Sequence, residues 1–278
     1  MNELEEMERN DASLRTRVIT ATIYSATLIA MTLISSVTTV IAVAALSGLC
    51  AFEFYTMLRS DAKLPNELIG TIAATLYPVS YALGHFNGVL TLTATFATVV
   101  LVWYVFYPPA RITDVAVTFF GALYTGLMLS FLVVVRADIA GFWGGFTVVA
   151  IMASVWLNDT FAFFIGSKFG RHKMAPRISP NKSWEGFLAG MVASVGVWLL
   201  MMLIPSVHLP VGWAIAGGIA CGCVGILGDL VESRIKRSTG HKDSGHLLPG
   251  HGGFLDRCDS LILVAAMASL ILRLSGTI

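Results

Sequence analysis

The stretch VLTLTATFATVVLVWYVFY, residues 89–107, contains no charged side chain. A helix needs about 20 mostly apolar residues to cross the hydrocarbon core of a bilayer, and this stretch meets that requirement. Eight further mostly apolar runs of similar length occur in the chain. They cover residues 18–34, 37–58, 67–84, 114–135, 142–166, 184–204, 211–231 and 259–275. The sequence therefore predicts an all-α polytopic integral membrane protein with about nine transmembrane helices.

The composition of the 278 residues supports this class. Hydrophobic residues make up 56% and charged residues 13%, whereas ordinary soluble domains are roughly 25% charged. The 18 basic and 17 acidic residues are too few to coat a soluble globule of this size. These proportions exclude a disordered chain and a basic nucleic-acid-binding domain, and they argue against a soluble enzyme.

The positions of the basic residues predict the orientation, because Lys and Arg are retained on the cytoplasmic side of membranes. With nine spans, 16 of the 18 basic residues fall on one side, and only Arg136 and Arg273 fall on the other. The N-terminus is therefore expected in the cytoplasm and the C-terminus on the opposite side. Ten of the 16 lie in two cytoplasmic loops, which follow the sixth and eighth spans.

These boundaries divide the chain into four parts. Residues 1–17 mix acidic with basic side chains, so we expect a cytoplasmic tail or a short surface helix and no cleavable signal peptide. Residues 18–107 hold the first four spans, and residues 114–183 hold the middle helices with the first basic loop. Residues 184–278 hold the C-terminal helices and a motif-rich loop at 233–259.

An ionisable residue lies inside the span that leads to the first basic loop. Asp159 is two turns within the sixth span, where a carboxylate facing lipid would cost about 2.5–3.5 kcal/mol. We interpret it as lining a water-filled site, with pairing to a basic neighbour as the alternative. Further on, Ser179 and Pro180 are expected to open the next helix and to place Lys182 and Ser183 in its first turn. Free backbone amides there favour an anion, so this turn is a candidate phosphate site.

The second basic loop carries a denser group of polar residues. Asp229, Ser233 and Lys236 are spaced i, i+4 and i+7, so they share one helical face. Asp256 and Asp259 face one direction if the last helix begins near residue 255. Three carboxylates beside many Lys and Arg side chains suit Mg²⁺ bound together with substrate phosphates. This composition is typical of a phosphoryl-transfer site.

Other interpretations of residues near this loop stay open. A zinc site is disfavoured because the spacing of its possible ligands matches no compact pattern. Those ligands would be His241, His246, His251 and Cys258. Small residues of the eighth span are interpreted as a helix-packing face, namely Gly218, Cys221, Gly222 and Gly225. Glu53 is interpreted as the structural partner of an arginine or as a residue that lines the same cavity.

From Ser233 to Asp259 the chain reads SRIKRSTGHKDSGHLLPGHGGFLDRCD. This stretch resembles, at every spacing, the signature of the phosphatidate cytidylyltransferases, also called CDP-diacylglycerol synthases. Only Cys258 departs, because the family usually has an aliphatic residue or threonine there, and a thiol is small and apolar enough for that place. Weaker likenesses occur at Leu14–Val18, Glu53–Tyr55, Asn158–Thr160 and Ser179–Gly186.

The resemblance implies an enzyme that joins CTP and phosphatidic acid to give CDP-diacylglycerol and pyrophosphate. It implies Mg²⁺ as cofactor, a second monovalent cation such as K⁺, and a homodimer, with no nucleic acid as partner. Asp229 and Asp256 are expected to bind Mg²⁺, with Asp259 as a further ligand. The catalytic set is Asp229, Lys236, Lys242 and Asp256. The substrate-binding set is Asp159, Ser179, Asn181, Lys182, Ser183, Arg237 and His251.

Two other functions are weighed against this one. A CTP-dependent lipid kinase of the polyprenol or phytol type resembles the family in its C-terminal half, but the complete motif at 233–259 favours the cytidylyltransferase. A cation transporter would spread acidic residues over the depth of the bilayer, whereas here they collect at one side. We therefore expect an enzyme of a prokaryotic plasma membrane whose active site faces the cytoplasm.

Overall fold

The computed structural model describes the backbone of residues 3–60, 64–245, 247–248 and 252–278, and the side chains of residues 18–59 and of the later ranges. Helices make up most of this part of the chain, so the predicted all-α class is confirmed. The helices are α1 Glu3–Ile34, α2 Ser36–Ser60, α3 Glu67–Phe106, α4 Ile112–Ala122, α5 Met128–Asp138, α6 Gly141–Phe169, α7 Trp184–Met201, α8 Val211–Ser238 and α9 Leu255–Leu274. A π-helical segment, Leu123–Leu127, joins α4 to α5, and a hairpin of β1 Lys173–Ala175 and β2 Ser179–Ser183 joins α6 to α7.

Helix α3 reverses direction in its middle. His85 has φ 48° and ψ −139°, a left-handed backbone conformation that breaks the helix. The Tyr77 hydroxyl lies 3.2 Å from Thr93 Oγ1, although sixteen residues separate them. Gly88 allows the close approach, because a β-carbon there would lie 2.1 Å from the carbonyl oxygen of Ser80. The two arms of α3 are therefore antiparallel neighbours, as the separate runs 67–84 and 89–107 predict.

Several helices are suited to a bilayer. Within the described residues, six are long and apolar enough to cross a membrane. They are Ser36–Arg59, Glu67–Phe106, Ile112–Asp138, Gly141–Phe169, Trp184–Met201 and Val211–Ser238. A shorter apolar helix, Val18–Ile34, is continuous with the preceding residues of α1. These lengths and compositions are those of an integral membrane protein.

Small residues bring α8 into close contact with α7. A β-carbon at Gly218 would lie 2.4 Å from the Cα atom of Val195, and one at Gly222 would lie 3.2 Å from the Cα atom of Met191. Such distances leave no room for a side chain, so the backbones themselves are in contact. The packing face predicted on the eighth span is thereby confirmed at Gly218 and Gly222, whereas Gly225 lies against Asn158 and Val264 of α6 and α9.

Two arginines form ion pairs and hydrogen bonds near the C-terminal ends of α5 and α9. The guanidinium of Arg273 lies 2.7 Å from the Asp138 carboxylate, whose other oxygen accepts a hydrogen bond from Tyr81. The same guanidinium stacks over the ring of Phe86 at 5.0 Å. Arg136 donates to the carbonyl oxygen of Gly141 at 2.9 Å. Arg136 and Arg273 are the two basic residues predicted to lie on the opposite side from the other sixteen. They occupy the last turns of α5 and α9.

The β-hairpin corrects one prediction. Ser179 and Pro180 do not open a helix, and Lys182 is not in a first helical turn. Residues 179–183 instead form a strand paired antiparallel with β1, and α7 begins at Trp184. Ser183 precedes that helix and accepts a hydrogen bond from the Gly186 amide at 3.2 Å. The extended pairing decides the outcome, because the Trp184 amide also donates to the His172 carbonyl across the hairpin.

Candidate active site

A polar cavity of about 550 Å³ lies between α6, the β-hairpin, α7, α8 and α9. We call it the polar cavity. Its charged and amide side chains are Asp159, Lys173, Asn181, Lys182, Asp229, Asp256, Arg257 and Asp259. The mixture of carboxylates with Lys and Arg side chains suits a ligand that carries phosphate groups and a bound cation.

Lys182 joins the hairpin to α8. Its Nζ lies 2.6 Å from Oδ2 of Asp229 and donates a longer bond, at 3.5 Å, to the Ile226 carbonyl oxygen. The other Asp229 oxygen accepts a hydrogen bond of 3.1 Å from the Ser233 hydroxyl, so the predicted i, i+4 pair is in contact. Side chains of Lys182 and Asp229 keep 20% and 33% of their surface exposed, which leaves both within reach of a ligand.

Lys236 links α8 to the start of α9. Its Nζ lies 2.5 Å from Glu232 and 2.6 Å from Asp256, and the side chains of these carboxylates are 0% and 8% exposed. The second Asp256 oxygen accepts hydrogen bonds from the amides of Ser244 and Gly253, at 2.9 and 2.8 Å. Both oxygens of Asp256 are thus held by the protein, and Lys236 bridges two buried carboxyl groups.

Glu53 is buried and reaches the same loop from α2. Its Oε2 accepts hydrogen bonds from the Ser244 hydroxyl at 3.0 Å and from the Leu255 amide at 2.9 Å. The same hydroxyl oxygen lies 3.0 Å from Oδ2 of Asp256, so one hydroxyl, with a single proton to donate, stands between the two carboxylates. Within the described residues Glu53 does not line the polar cavity, and its partners are a hydroxyl and the first amide of α9, not an arginine. Its function here is to fix the position of that helix start.

Three carboxylates in the described part of the chain are close enough together to hold a metal ion. Ligand oxygens of Asp229, Glu232 and Asp259 all lie within 4.8 Å of one another. Carboxylate oxygens are the ligands that Mg²⁺ prefers. Asp229 and Asp259 belong to the predicted metal set, whereas Glu232 does not. Asp256, the third predicted ligand, is outside this trio.

Among the possible zinc ligands, the two that the structure describes give no support for a zinc site. The ring of His241 contacts the hydroxyl of Thr239 at 3.1 Å, and Cys258 is buried with its sulfur 3.4 Å from the Tyr24 hydroxyl. His246 and His251 lie outside the described residues.

Gly228 sets the separation of the two helices that carry the trio. A β-carbon there would lie 2.4 Å from the carbonyl oxygen of Asp259 and 3.0 Å from the Cα atom of Ser260. We expect Gly228→Ala to lower the free energy of unfolding by about 1–3 kcal/mol, the usual effect of overpacking, measured by thermal unfolding in detergent. The control is Gly196→Ala on α7, where the β-carbon meets nothing within 4 Å. Equal stability of the two variants would contradict the close contact.

The sequence comparison identifies the family. The model of the cytidylyltransferase family matches residues 15–275. The chain belongs to this family. A Thermotoga maritima protein named phosphatidate cytidylyltransferase is 33% identical over 270 residues, which are 94% of this chain and 97% of that protein.

Two other members of the cytidylyltransferase family match more strongly over shorter stretches. A Staphylococcus epidermidis phosphatidate cytidylyltransferase is 46% identical over 118 residues, 42% of this chain and 45% of the relative. A Brucella abortus protein of the same name is 42% identical over 151 residues, 54% of this chain and 54% of the relative. The chain therefore matches about half the length of these two relatives.

The structure places most of the predicted site residues of this family member at the polar cavity. Those that line it are Asp159, Asn181, Lys182, Ser183, Asp229, Asp256 and Asp259. Lys236 lies behind the cavity, paired with Asp256. Ser179, Arg237 and Lys242 are not among the lining residues, and the last two are exposed. His251 lies outside the described residues.

Several residues at this site were not in the predicted sets. Lys173 and Arg257 line the cavity, Glu232 belongs to the carboxylate trio, and Ser244 orders Asp256. A signal for Glu232 exists in the sequence, because it is three residues after Asp229 and four before Lys236, on the same helical face. Ser244 has no local signal, since its partners come from distant helices.

Proposed function

We propose that this protein transfers the cytidylyl group of CTP to phosphatidic acid, giving CDP-diacylglycerol and pyrophosphate. The observation that carries the proposal is the carboxylate trio beside Lys182 in one cavity, at the ends of apolar helices. Membership of the cytidylyltransferase family and a relative of that name matched along 97% of its length support it. CTP is a soluble polyanion and the acyl chains of phosphatidic acid stay in the bilayer, so the site must meet both phases.

The reaction needs positioning and charge neutralisation more than acid–base chemistry. A phosphate oxygen of phosphatidic acid attacks the α-phosphorus of CTP, the bond to the β-phosphate oxygen breaks, and pyrophosphate leaves in line. The nucleophile is already an anion, so no strong general base is required. Lys182, Lys173 and Arg257 bind the phosphate groups, while Asn181 and Ser183 orient them. Lys236 and Ser244 keep Asp256 in place at the cavity.

Mg²⁺ is the cofactor of this proposal. Asp229, Glu232 and Asp259 would hold it, and the donor set fits because three carboxylate oxygens converge within 4.8 Å. The ion would neutralise negative charge that develops on the phosphates. Asp256, a predicted ligand, stays a prediction in that role, and so do the monovalent cation and the homodimer.

The proposed topology has nine spans with the N-terminus and the active site on the cytoplasmic side. The nine spans are the two arms of α3, the helix Val18–Ile34, α9 and the five other long apolar helices. This arrangement is supported by the placement of 16 basic residues on one side, as the positive-inside rule requires. Bacterial relatives favour a prokaryotic plasma membrane.

The experiment that tests the function is an assay of the purified protein in mixed micelles with CTP and phosphatidic acid. We expect label from the α-phosphate of CTP to enter the lipid fraction and pyrophosphate to appear in equal amount, only with Mg²⁺ present. A lipid kinase would instead transfer label from the γ-phosphate to a lipid alcohol and release CDP. Absence of α-label from the lipid would refute the proposal.

A further inference from the structure

Two more cavities lie next to the polar cavity, toward α1 and α2. A small chamber of about 330 Å³ shares Asp159, Asp256, Arg257 and Asp259 with the polar cavity. A groove of about 370 Å³ between α1 and α2 shares Thr20, Tyr24 and Leu248 with that chamber. We call it the α1–α2 groove. Because neighbouring cavities share lining residues, the three adjoin one another, and their surroundings change from charged to apolar along the series.

The groove follows from the helical period of the two helices. On α1 it is lined at positions 20, 23, 24, 27, 28 and 31, and on α2 at positions 41, 42, 45, 46 and 49. Both sets repeat every three to four residues, so one face of each helix is turned toward the other. Most of these side chains are apolar, with Thr20 and Thr27 as the exceptions, and the Tyr24 hydroxyl, at the polar end, lies 3.4 Å from the sulfur of Cys258.

The far end of the groove is closed by the turn between the helices. The Thr38 hydroxyl donates to the Met31 carbonyl oxygen at 2.5 Å, and the Thr39 hydroxyl donates to that of Thr32 at 3.2 Å. These bonds hold the start of α2 against the end of α1, beside Met31 and Ile41. The eleven helical steps from Thr20 to Met31 span about 16 Å, close to half of the roughly 30 Å hydrocarbon core. The groove is thus about as long as one leaflet is deep.

The lining of the groove and its position select the occupant. Its walls are mainly apolar side chains, and its polar end adjoins the chamber that carries Asp256, Arg257 and Asp259. A phospholipid joins a charged phosphate to extended hydrocarbon chains, so one acyl chain in the groove suits both surroundings.

We propose that the α1–α2 groove binds one acyl chain of the lipid substrate, and that Met31 and Ile41 at its closed end set the preferred chain length. The inference rests on the proposed function, since it is the lipid phosphate in the polar cavity that brings the chain to the groove. The chain runs past Tyr24 and Leu248, where the charged chamber gives way to the apolar lining.

A bulky residue in the groove tests the proposal. Ala45 lines the groove and is exposed, so Ala45→Phe fills the space without entering the core. We expect its KM for dioleoyl phosphatidate to rise about tenfold, as overpacking predicts, with the KM for dihexanoyl phosphatidate and for CTP unchanged. The matched control, Val37→Phe, is exposed on the same helix outside the groove and should keep the original ratio.

A second variant tests the closed end of the α1–α2 groove. Met31→Ala lengthens the groove and should shift the preference toward longer chains, which tests the proposal even if Ala45→Phe is unstable. An unchanged long-to-short KM ratio in both variants would overturn it. A changed oligomeric state of Ala45→Phe with the ratio unchanged would also overturn it, in favour of a subunit contact. If the unsubstituted protein transfers no cytidylyl group to either lipid, the proposed function itself has failed.

Discussion

Asp229→Asn is expected to lower kcat for CDP-diacylglycerol formation by about 10³-fold, even at saturating Mg²⁺. The amide is nearly the same size and can still accept the Ser233 hydrogen bond, so the fold should survive. The substitution removes one charge from the carboxylate trio and leaves Lys182 without the ion pair that holds it at 2.6 Å. Both the proposed cation site and one proposed phosphate-binding group are disturbed together. Single-turnover assays over a range of Mg²⁺ concentrations measure the effect.

The control for this experiment is Asp243→Asn, in the segment between α8 and α9. Asp243 is exposed and does not line the polar cavity, so its loss should change kcat less than twofold, about the effect of an exposed charge. A normal kcat for Asp229→Asn at saturating Mg²⁺ would exclude Asp229 as a metal ligand. Equal losses in the two variants would point to the general charge of the loop and not to the trio.

Lys236→Met is expected to lower the free energy of unfolding by about 3–5 kcal/mol. The substitution leaves Glu232 and Asp256, which are 0% and 8% exposed, without the cation that lies within 2.6 Å of both. A buried charge without a partner is far more costly than a buried pair is stabilising. Thermal unfolding of the ligand-free protein in detergent measures this change separately from activity.

A second substitution separates stability from function. In Lys236→Met/Glu232→Gln one of the two uncompensated charges is removed, so much of the lost stability should return while cytidylyl transfer stays low. Lys242→Met is the control, because Lys242 is exposed and outside the cavity, and its unfolding temperature should not change. If Lys236→Met is as stable as Lys242→Met, the ion pairs of Lys236 contribute little to the free energy of unfolding.

Local patterns in the sequence predict much of the fold. Apolar length marks the helices, and the interruption between residues 84 and 89 marks the reversal at His85. Helical spacing also predicts the Asp229–Ser233 contact and the small-residue face of α8. These features depend on residues a few positions apart, so the period of the helix is enough to find them.

The remaining parts of the site depend on contacts that no local pattern contains. The strand at residues 179–183 looks like a helix start because Ser-Pro is a common opening, but pairing with β1 decides its conformation. The partners of Glu53 are 191 and 202 residues away, so its spacing along α2 carries no information about them. The motif at 233–259 points to Asp256, but only the folded chain reveals that Lys236 and Ser244 occupy its oxygens.

The distance between Glu53 and its partners has a consequence for biosynthesis. The chain emerges from the ribosome N-terminus first, so α2 is made long before Ser244 and Leu255, 191 and 202 residues later. Until then the Glu53 carboxylate has neither of the donors that bind its Oε2 in the finished protein. A nascent chain released before α9 therefore exposes an unsatisfied acid among membrane helices, a feature by which quality-control proteases could distinguish it. Activity and proteolytic resistance should thus be acquired together, at the end of translation.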